Sequence, residues 1–313
     1  MRRALLLLTL LTIATSLWLV TPRAWAYHGY TVERNGDPSN RVDLVVLGDG
    51  YTLAELSKFH QDVNLVIQHL FSETPLKEYR TYFNVHAVEV ISPESGADHP
   101  YDAPPVYRQT ALDAQYLRLY DDPNDRTTYI TYIAGNTARM LEVAATDSPA
   151  PADVILVLVN DPATAGGAWS MVGMAAMSAD GLGPAMAAHE FGHAFAGLGD
   201  ESAGAMGTFF GSGGSGLGQV IEANLSTTND PVLVKWKAWF DPTKPIPTMC
   251  PATCPLVCPA DVVGIFEGAA GFTSGIWKPT CASKMSNVTA PWGQVNASRL
   301  LERIYDFVTE NDD

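Results

Sequence analysis

The sequence is short of basic residues: Lys and Arg number 19 against 34 Asp and Glu, for a formal net charge of −15. Binding to nucleic acid draws on clustered cations that displace counterions from phosphate; no such cluster is present, so nucleic acid is excluded as a partner. Charge of either sign is scarce at 17% of residues, while hydrophobic residues reach 47%. That balance excludes a disordered, highly charged polymer and predicts a sizeable core. Cysteine is absent before Cys250, so all four cysteines lie late in the chain. After residue 26 no apolar run has the length needed to span a bilayer. No internal repeat or linker divides the chain, so residues 27–313 are expected to form one domain.

What is present begins with a leader-like segment. Arg2 and Arg3 precede an apolar stretch over residues 4–20, and Ala24-Trp25-Ala26 has the small-x-small pattern that signal peptidase reads. Residues 1–26 are expected to be a signal peptide, leaving a secreted or periplasmic protein without stable membrane association; an uncleaved anchor is the alternative. Cysteine usage agrees with export. Cys250, Cys254, Cys258 and Cys281 form an even set, expected as two disulfides in one of three pairings. The interleaved Pro251, Pro255 and Pro259 make a structural zinc knot the weaker reading.

Periodicity supplies the elements. Residues 41–47 read as a buried strand, followed by the turn Gly48-Asp49-Gly50 and by Thr52 and Glu55 in capping-box spacing, which opens a helix to about Phe71. Residues 82–91 form a second expected strand, 92–105 a surface loop, and 153–159 a central strand. Residues 169–178, after Gly166 and Gly167, read as a more exposed edge strand along which an extended peptide pairs. Gly167, Ala168 and Trp169 are the candidate substrate-binding residues there. A helix is expected over 184–196, with Pro184 in its first turn and Gly197 as a left-handed cap. Another is expected over 295–310, with Leu300, Leu301, Ile304 and Phe307 on one face. Strands alternating with helices up to residue 196 point to an α/β sheet core, followed by an irregular, disulfide-bonded C-terminal part.

The helix over 184–196 carries His189-Glu190-Phe191-Gly192-His193. Histidines four apart share a helix face, about 6 Å apart at Cβ, so both imidazoles can turn to one cation. Zinc takes such nitrogen ligands and leaves room for a water. Glu190, beside the first ligand, is placed to reach a metal-activated water rather than the metal, as a general base must be. The surrounding helix is apolar and therefore expected to be buried, and a buried polar face needs partners, which raises this short pattern above chance. Gly197 follows His193 by four residues and Asp200 follows Gly197 by three, so the turn brings Asp200 back as a third ligand; Glu201 is its nearest competitor. Met285 taken alone reads as core filler. Asp49 reads as a turn and capping residue, and His28, His60, His69, His86 and His99 as structural or surface side chains. Asn224, Asn287 and Asn296 match the glycan-acceptor pattern.

From His189 to Glu201 the chain resembles the H-E-x-G-H-x-x-x-G-L-x-D-E stretch of the IgA-peptidase family of bacterial zinc metallopeptidases. Leu47-Gly-Asp-Gly-Tyr-Thr52, Lys235-Trp-Lys-Ala-Trp239, Phe266-Glu-Gly-Ala-Ala-Gly-Phe272, Lys278-Pro279 and Cys281-Ala-Ser-Lys-Met285 are similar to further segments of that family, in order. The sequence departs from the family at Phe272, where an aromatic hydroxyl is more usual, and in the longer gap formed by Ala282, Ser283 and Lys284. The resemblance implies a zincin-type, metzincin-like α/β fold, one catalytic zinc, endopeptidase activity on protein or peptide substrates, and a methionine beneath the metal, here Met285. Immunoglobulin A as a substrate does not transfer with it. Two further readings stay open: a secreted zincin-fold binding module with a non-catalytic zinc, and a zinc hydrolase of a non-peptide amide or ester.

Overall fold

The structure, a computed structural model, describes residues 27–122, 125–204, 221–250 and 262–308. The expected signal peptide, and Cys254 and Cys258, lie outside the described residues. Eight strands form one sheet: β1 (His28–Glu33), β2 (Val42–Asp49), β3 (Phe83–Glu89), β4 (Gln115–Asp122), β5 (Asp125–Ala134), β6 (Val154–Val159), β7 (Gly166–Trp169) and β8 (Met174–Ser178). Their order across the sheet is β1-β3-β2-β6-β8-β7-β5-β4. The central strands β3, β2, β6 and β8 are parallel, and β2, β6 and β8 are buried along their whole length, as strands covered on both faces must be. β1, β7 and β4 are antiparallel to β3, β8 and β5, so the sheet is mixed.

Helices cover both faces. Val42, Leu44 and Val46 point to the side of α1 (Leu56–Leu70), α3 (Gly183–Ala196) and α4 (Gln294–Phe307), while Val45 and Leu47 point to α2 (Thr137–Asp147). α1 buries Phe59, Val63, Val66, Ile67 and Leu70, a stripe at helical spacing. The capping box of Thr52 and Glu55 is present, with the Thr52 N–H donating to Glu55 Oε2 at 2.9 Å, and it opens a short 3-10 turn that runs into α1. α4 meets the end of α3 through Arg299 and Arg303, whose Nε groups donate to the carbonyls of Ala196 and Phe195 at 3.2 and 3.0 Å. These carbonyls face the negative end of the helix, where cations are favoured.

Between α3 and α4 the described chain is irregular, with only the two-residue strands β9 (Phe266–Glu267) and β10 (Trp277–Lys278). A second core of Val234, Trp236, Phe240, Ile265 and Trp277 holds this part together, and the disulfide Cys250–Cys281 closes it. No helix among the described residues is long and apolar enough to cross a membrane.

Three expectations need correction. Residues 169–178 are not one exposed edge strand: Gly173, left-handed at φ 64°, reverses the chain after a 3-10 turn, and β8 is then buried between β6 and β7. β7 is not an outer edge either, although it joins the β5 ladder only at Gly166. Second, Asp49 does more than shape a turn. Fully buried, it accepts hydrogen bonds from the Leu112 and Ala114 N–H groups and the Thr110 hydroxyl, each at 2.9 Å, and from Ser92 Oγ at 3.1 Å. Burial pushes its carboxyl up against the pull of those donors. Third, Asn224 and Asn296 are buried and hydrogen-bonded, so the folded chain does not present them to a glycosylating enzyme. Asp49→Ala, which strands the donors of the 92–114 loop, is expected to cost at least about 3 kcal/mol of stability in urea denaturation, well above a routine surface change.

Candidate metal centre

α3 is helical for local reasons. Pro184 sits in its first turn, small residues fill its interior, and Gly197 at φ 60° closes it, with the Gly197 N–H donating to the His193 carbonyl at 3.1 Å. Ala187, Ala188, Phe191, Ala194 and Phe195 face the core, which leaves His189 and His193 on the face toward solvent. The turn at Gly197 then carries Asp200 back over the helix.

The three side chains converge. His189 Nε2 and His193 Nε2 lie 3.1 Å apart, and Asp200 Oδ1 lies 3.2 and 3.4 Å from them. A tetrahedral metal with bonds of about 2.0–2.1 Å needs ligand atoms roughly 3.3–3.4 Å apart, so this triangle fits a small first-row cation. It is the one group of three or more such ligands found among the described residues. Each imidazole is oriented from behind: His189 Nδ1 donates to the Lys284 carbonyl at 2.9 Å and His193 Nδ1 to the Leu198 carbonyl at 2.6 Å. A carbonyl only accepts, so the proton is held on Nδ1 and the Nε2 lone pair is turned to the metal position.

Electrostatics divide the acids. Burial opposes charge on His193, but Asp200 and Glu190 outweigh it and raise the imidazole to about 9. Asp200, its side chain 49% exposed, is held far below the ordinary carboxylate range by hydrogen bonds and charge from the two histidines. Glu190 is 5% exposed, and that burial pushes its carboxyl up, with the histidines pulling it down. It lies against β7 so closely that a Cβ on Gly166 would meet its Oε1 at 2.2 Å. Under the helix, Met285 is fully buried with its sulfur 2.8 Å from where a Cβ on Gly192 would stand.

Glu201 is not part of the triangle. It is fully buried and accepts from Asn224 and Asn296 at Oε1, 2.9 and 2.8 Å away, and from Thr280 and Ser283 at Oε2, 2.5 and 2.9 Å away. Its main chain is engaged as well, the N–H donating to the Met285 carbonyl at 2.7 Å and the carbonyl accepting from Lys278 Nζ. These bonds fix the chain directly after Asp200.

A cleft of about 680 Å³ opens above the centre. Gly167 and Ala168 line it beside His189, Glu190 and His193, whereas Trp169 turns to the other face of the sheet and packs with the α2 side. Sequence reasoning missed Asn224, Thr280, Ser283, Asn296 and the carbonyl of Lys284. A carbonyl carries no residue signature, and the others are common polar types whose partners are distant in sequence. Gly166 and Gly192 did carry a signal, since a glycine in a strand or helix interior marks close approach.

Two imidazoles, one carboxylate and a buried acid at an open cleft define a class, a protein with a helix-borne cluster that could hold a metal ion beside a buried carboxylate. A model of the family described as IgA Peptidase M64 matches residues 31–254, and the chain belongs to that family. It is therefore a peptidase, with proteins or peptides as its substrate class, in a family whose name implies a metal. No curated protein matches the chain significantly. Because the proton on His193 must leave before a metal enters, metal uptake by metal-free protein should release protons. Apparent affinity should fall roughly tenfold per pH unit below the imidazole's value of about 9. Chelator competition between pH 6.5 and 8.5 measures this; an affinity indifferent to pH would contradict it.

Proposed function

We propose that this chain is an exported zinc-dependent endopeptidase of zincin type, in which His189, His193 and Asp200 hold one zinc ion and Glu190 is the general base. The observation that carries it is the triangle of ligand atoms at tetrahedral spacing, open to a cleft on one side and flanked by a buried carboxylate. Two imidazoles and one carboxylate suit zinc, and a fourth position open to the cleft is the mark of a catalytic rather than a structural site. Zinc, when bound, supplies Lewis acidity toward a substrate carbonyl and makes a water easier to deprotonate.

The chain's own groups do the rest. Glu190 takes a proton from a water at the cleft floor and returns it to the leaving amine, and a carboxyl raised by burial is a better base for that task. Gly167 and Ala168 line the cleft on β7 beside Glu190, where a bound peptide would lie against them. Met285 forms the floor beneath the ligand helix. Residues 1–26 and the late cysteines support export, to a periplasm or beyond the cell, as a single domain over 27–313.

The test is proteolysis of a denatured protein mixture, beside small amides and esters, by residues 27–313 of the wild type and of Glu190→Gln. Equal zinc in both, with cleavage of protein reduced about 10²- to 10⁴-fold in the variant, is expected. Zinc in both without protein cleavage by either sinks the reading. Gly166→Ala should also keep zinc and lose turnover, because the added Cβ displaces the Glu190 carboxylate; metal analysis alongside initial rates separates this from misfolding.

A further inference from the structure

The carbonyl that orients His189 belongs to Lys284, a residue whose side chain is sealed from solvent. A fully buried lysine is rare and is tolerable only where its charge is met. The Lys284 ammonium lies 3.2 and 3.0 Å from the two carboxylate oxygens of Glu73, three residues past the end of α1, and donates to the Val288 carbonyl at 2.9 Å. It sits over the Trp292 ring, 5.9 Å from the ring centre. The Lys284 N–H closes the same loop by donating to the Pro291 carbonyl at 2.8 Å. Residues 284–291 are thus wound around the ammonium of their own first member.

The loop so held meets the candidate centre at three points. Its first carbonyl accepts from His189 Nδ1 at 2.9 Å, and Val288 lines the cleft. Met285 and Trp292 lie under α3, where a Cβ on Gly192 would meet the Met285 sulfur and Trp292 Cζ3, both at 2.8 Å. Glu73 is the one ion-pair partner of Lys284 among the described residues, and it stands 211 residues earlier in the chain. An ammonium withdrawn from water has no solvent to replace that carboxylate, so the place of the loop is tied to the end of α1.

We infer that Lys284 and Glu73 form a positioning pair, which fixes the loop whose carbonyl turns His189 Nε2 toward the metal position and thereby sets the affinity and geometry of the centre. The pair touches neither the metal position nor a substrate, so its action runs through His189. This rests on the reading of His189 as a metal ligand. It adds a dependence of that ligand on α1, which the stretch from His189 to Asp200 does not itself contain.

The experiment reads metal binding apart from turnover, so that the two readings fail separately. Protein stripped of metal is titrated with zinc against a competing chelator, and with cobalt(II), whose visible absorption reports ligand geometry. Lys284→Met should weaken zinc binding about 10- to 100-fold, the scale on which the partners of metal-ligating histidines act, and should shift the cobalt spectrum. Glu73→Gln, at a partly exposed position, should weaken it in the same direction by less. The double variant should lose less than the two single losses combined, because either change alone already breaks the pair. Val143→Ala, in the core on the α2 side of the sheet, controls for stability: it should lower Tm and leave zinc affinity and the cobalt spectrum unchanged. Lys284 and Glu73 variants that lower Tm in the same way while keeping wild-type affinity and spectrum assign the pair a merely structural role and overturn the inference, as does strict additivity in affinity. Should Lys284→Met fail to fold, Glu73→Gln decides between the same outcomes. Absence of zinc binding by the wild type overturns the inference together with the metal reading. Zinc binding with the expected shifts but no cleavage of protein by the wild type keeps the inference and rejects the endopeptidase reading.

Discussion

The buried carboxylate of Glu201 is the point on which the site depends. Four separate stretches meet on its two oxygens: the turn at Asn224, the strand end at Thr280, the loop at Ser283 and helix α4 at Asn296. Its main chain reaches Met285 and Lys278 as well. An anion sealed from water is tolerable only when its lone pairs are filled, and here they are filled by neutral donors. The arrangement converts a desolvation penalty into specificity of position, since any loop conformation that breaks one bond leaves a charge exposed to an apolar interior. Asp200 next to it can then be aimed at the histidines with little freedom to wander.

The sheet core was legible in the sequence where burial on both faces made the strands continuously apolar, as in Val154–Val159. α1 and α3 were legible because their caps are side-chain chemistry: Thr52 with Glu55 at one, Pro184 and Gly197 at the other. β1 and the β4–β5 hairpin escaped because partners distant in sequence decide them, and polar residues such as Arg118 or Thr131 interrupt any run. The stretch from Trp169 to Ser178 misled for a related reason. A single left-handed glycine, Gly173, decides between one strand and two, and alternation of side chains does not reveal it.

At the candidate metal centre the converging side chains were legible as a cluster and their supports were not. His189, His193 and Asp200 lie within twelve residues, so helix geometry and one glycine turn bring them together. Glu201 looked like a competing ligand because it is an acid beside an acid; only the fold distinguishes a carboxylate aimed at the cleft from one surrounded by amide and hydroxyl donors. Asn224 and Asn296 were matched to a surface pattern for the converse reason, since a tripeptide says nothing of burial.

The split between local ligands and remote supports has a consequence for the order of synthesis. A growing chain completed to residue 225 already contains both histidines, Glu190 and Asp200, yet the carbonyl that orients His189 belongs to Lys284, and the donors that fix Glu201 include Thr280, Ser283 and Asn296. Until those residues have been made and folded back, His189 lacks the acceptor that orients it, whereas His193 already has its own in the Leu198 carbonyl. A chain ending at residue 225 would therefore hold every converging side chain and yet lack the acceptor behind His189 and three of the four side chains that hold the Glu201 carboxylate.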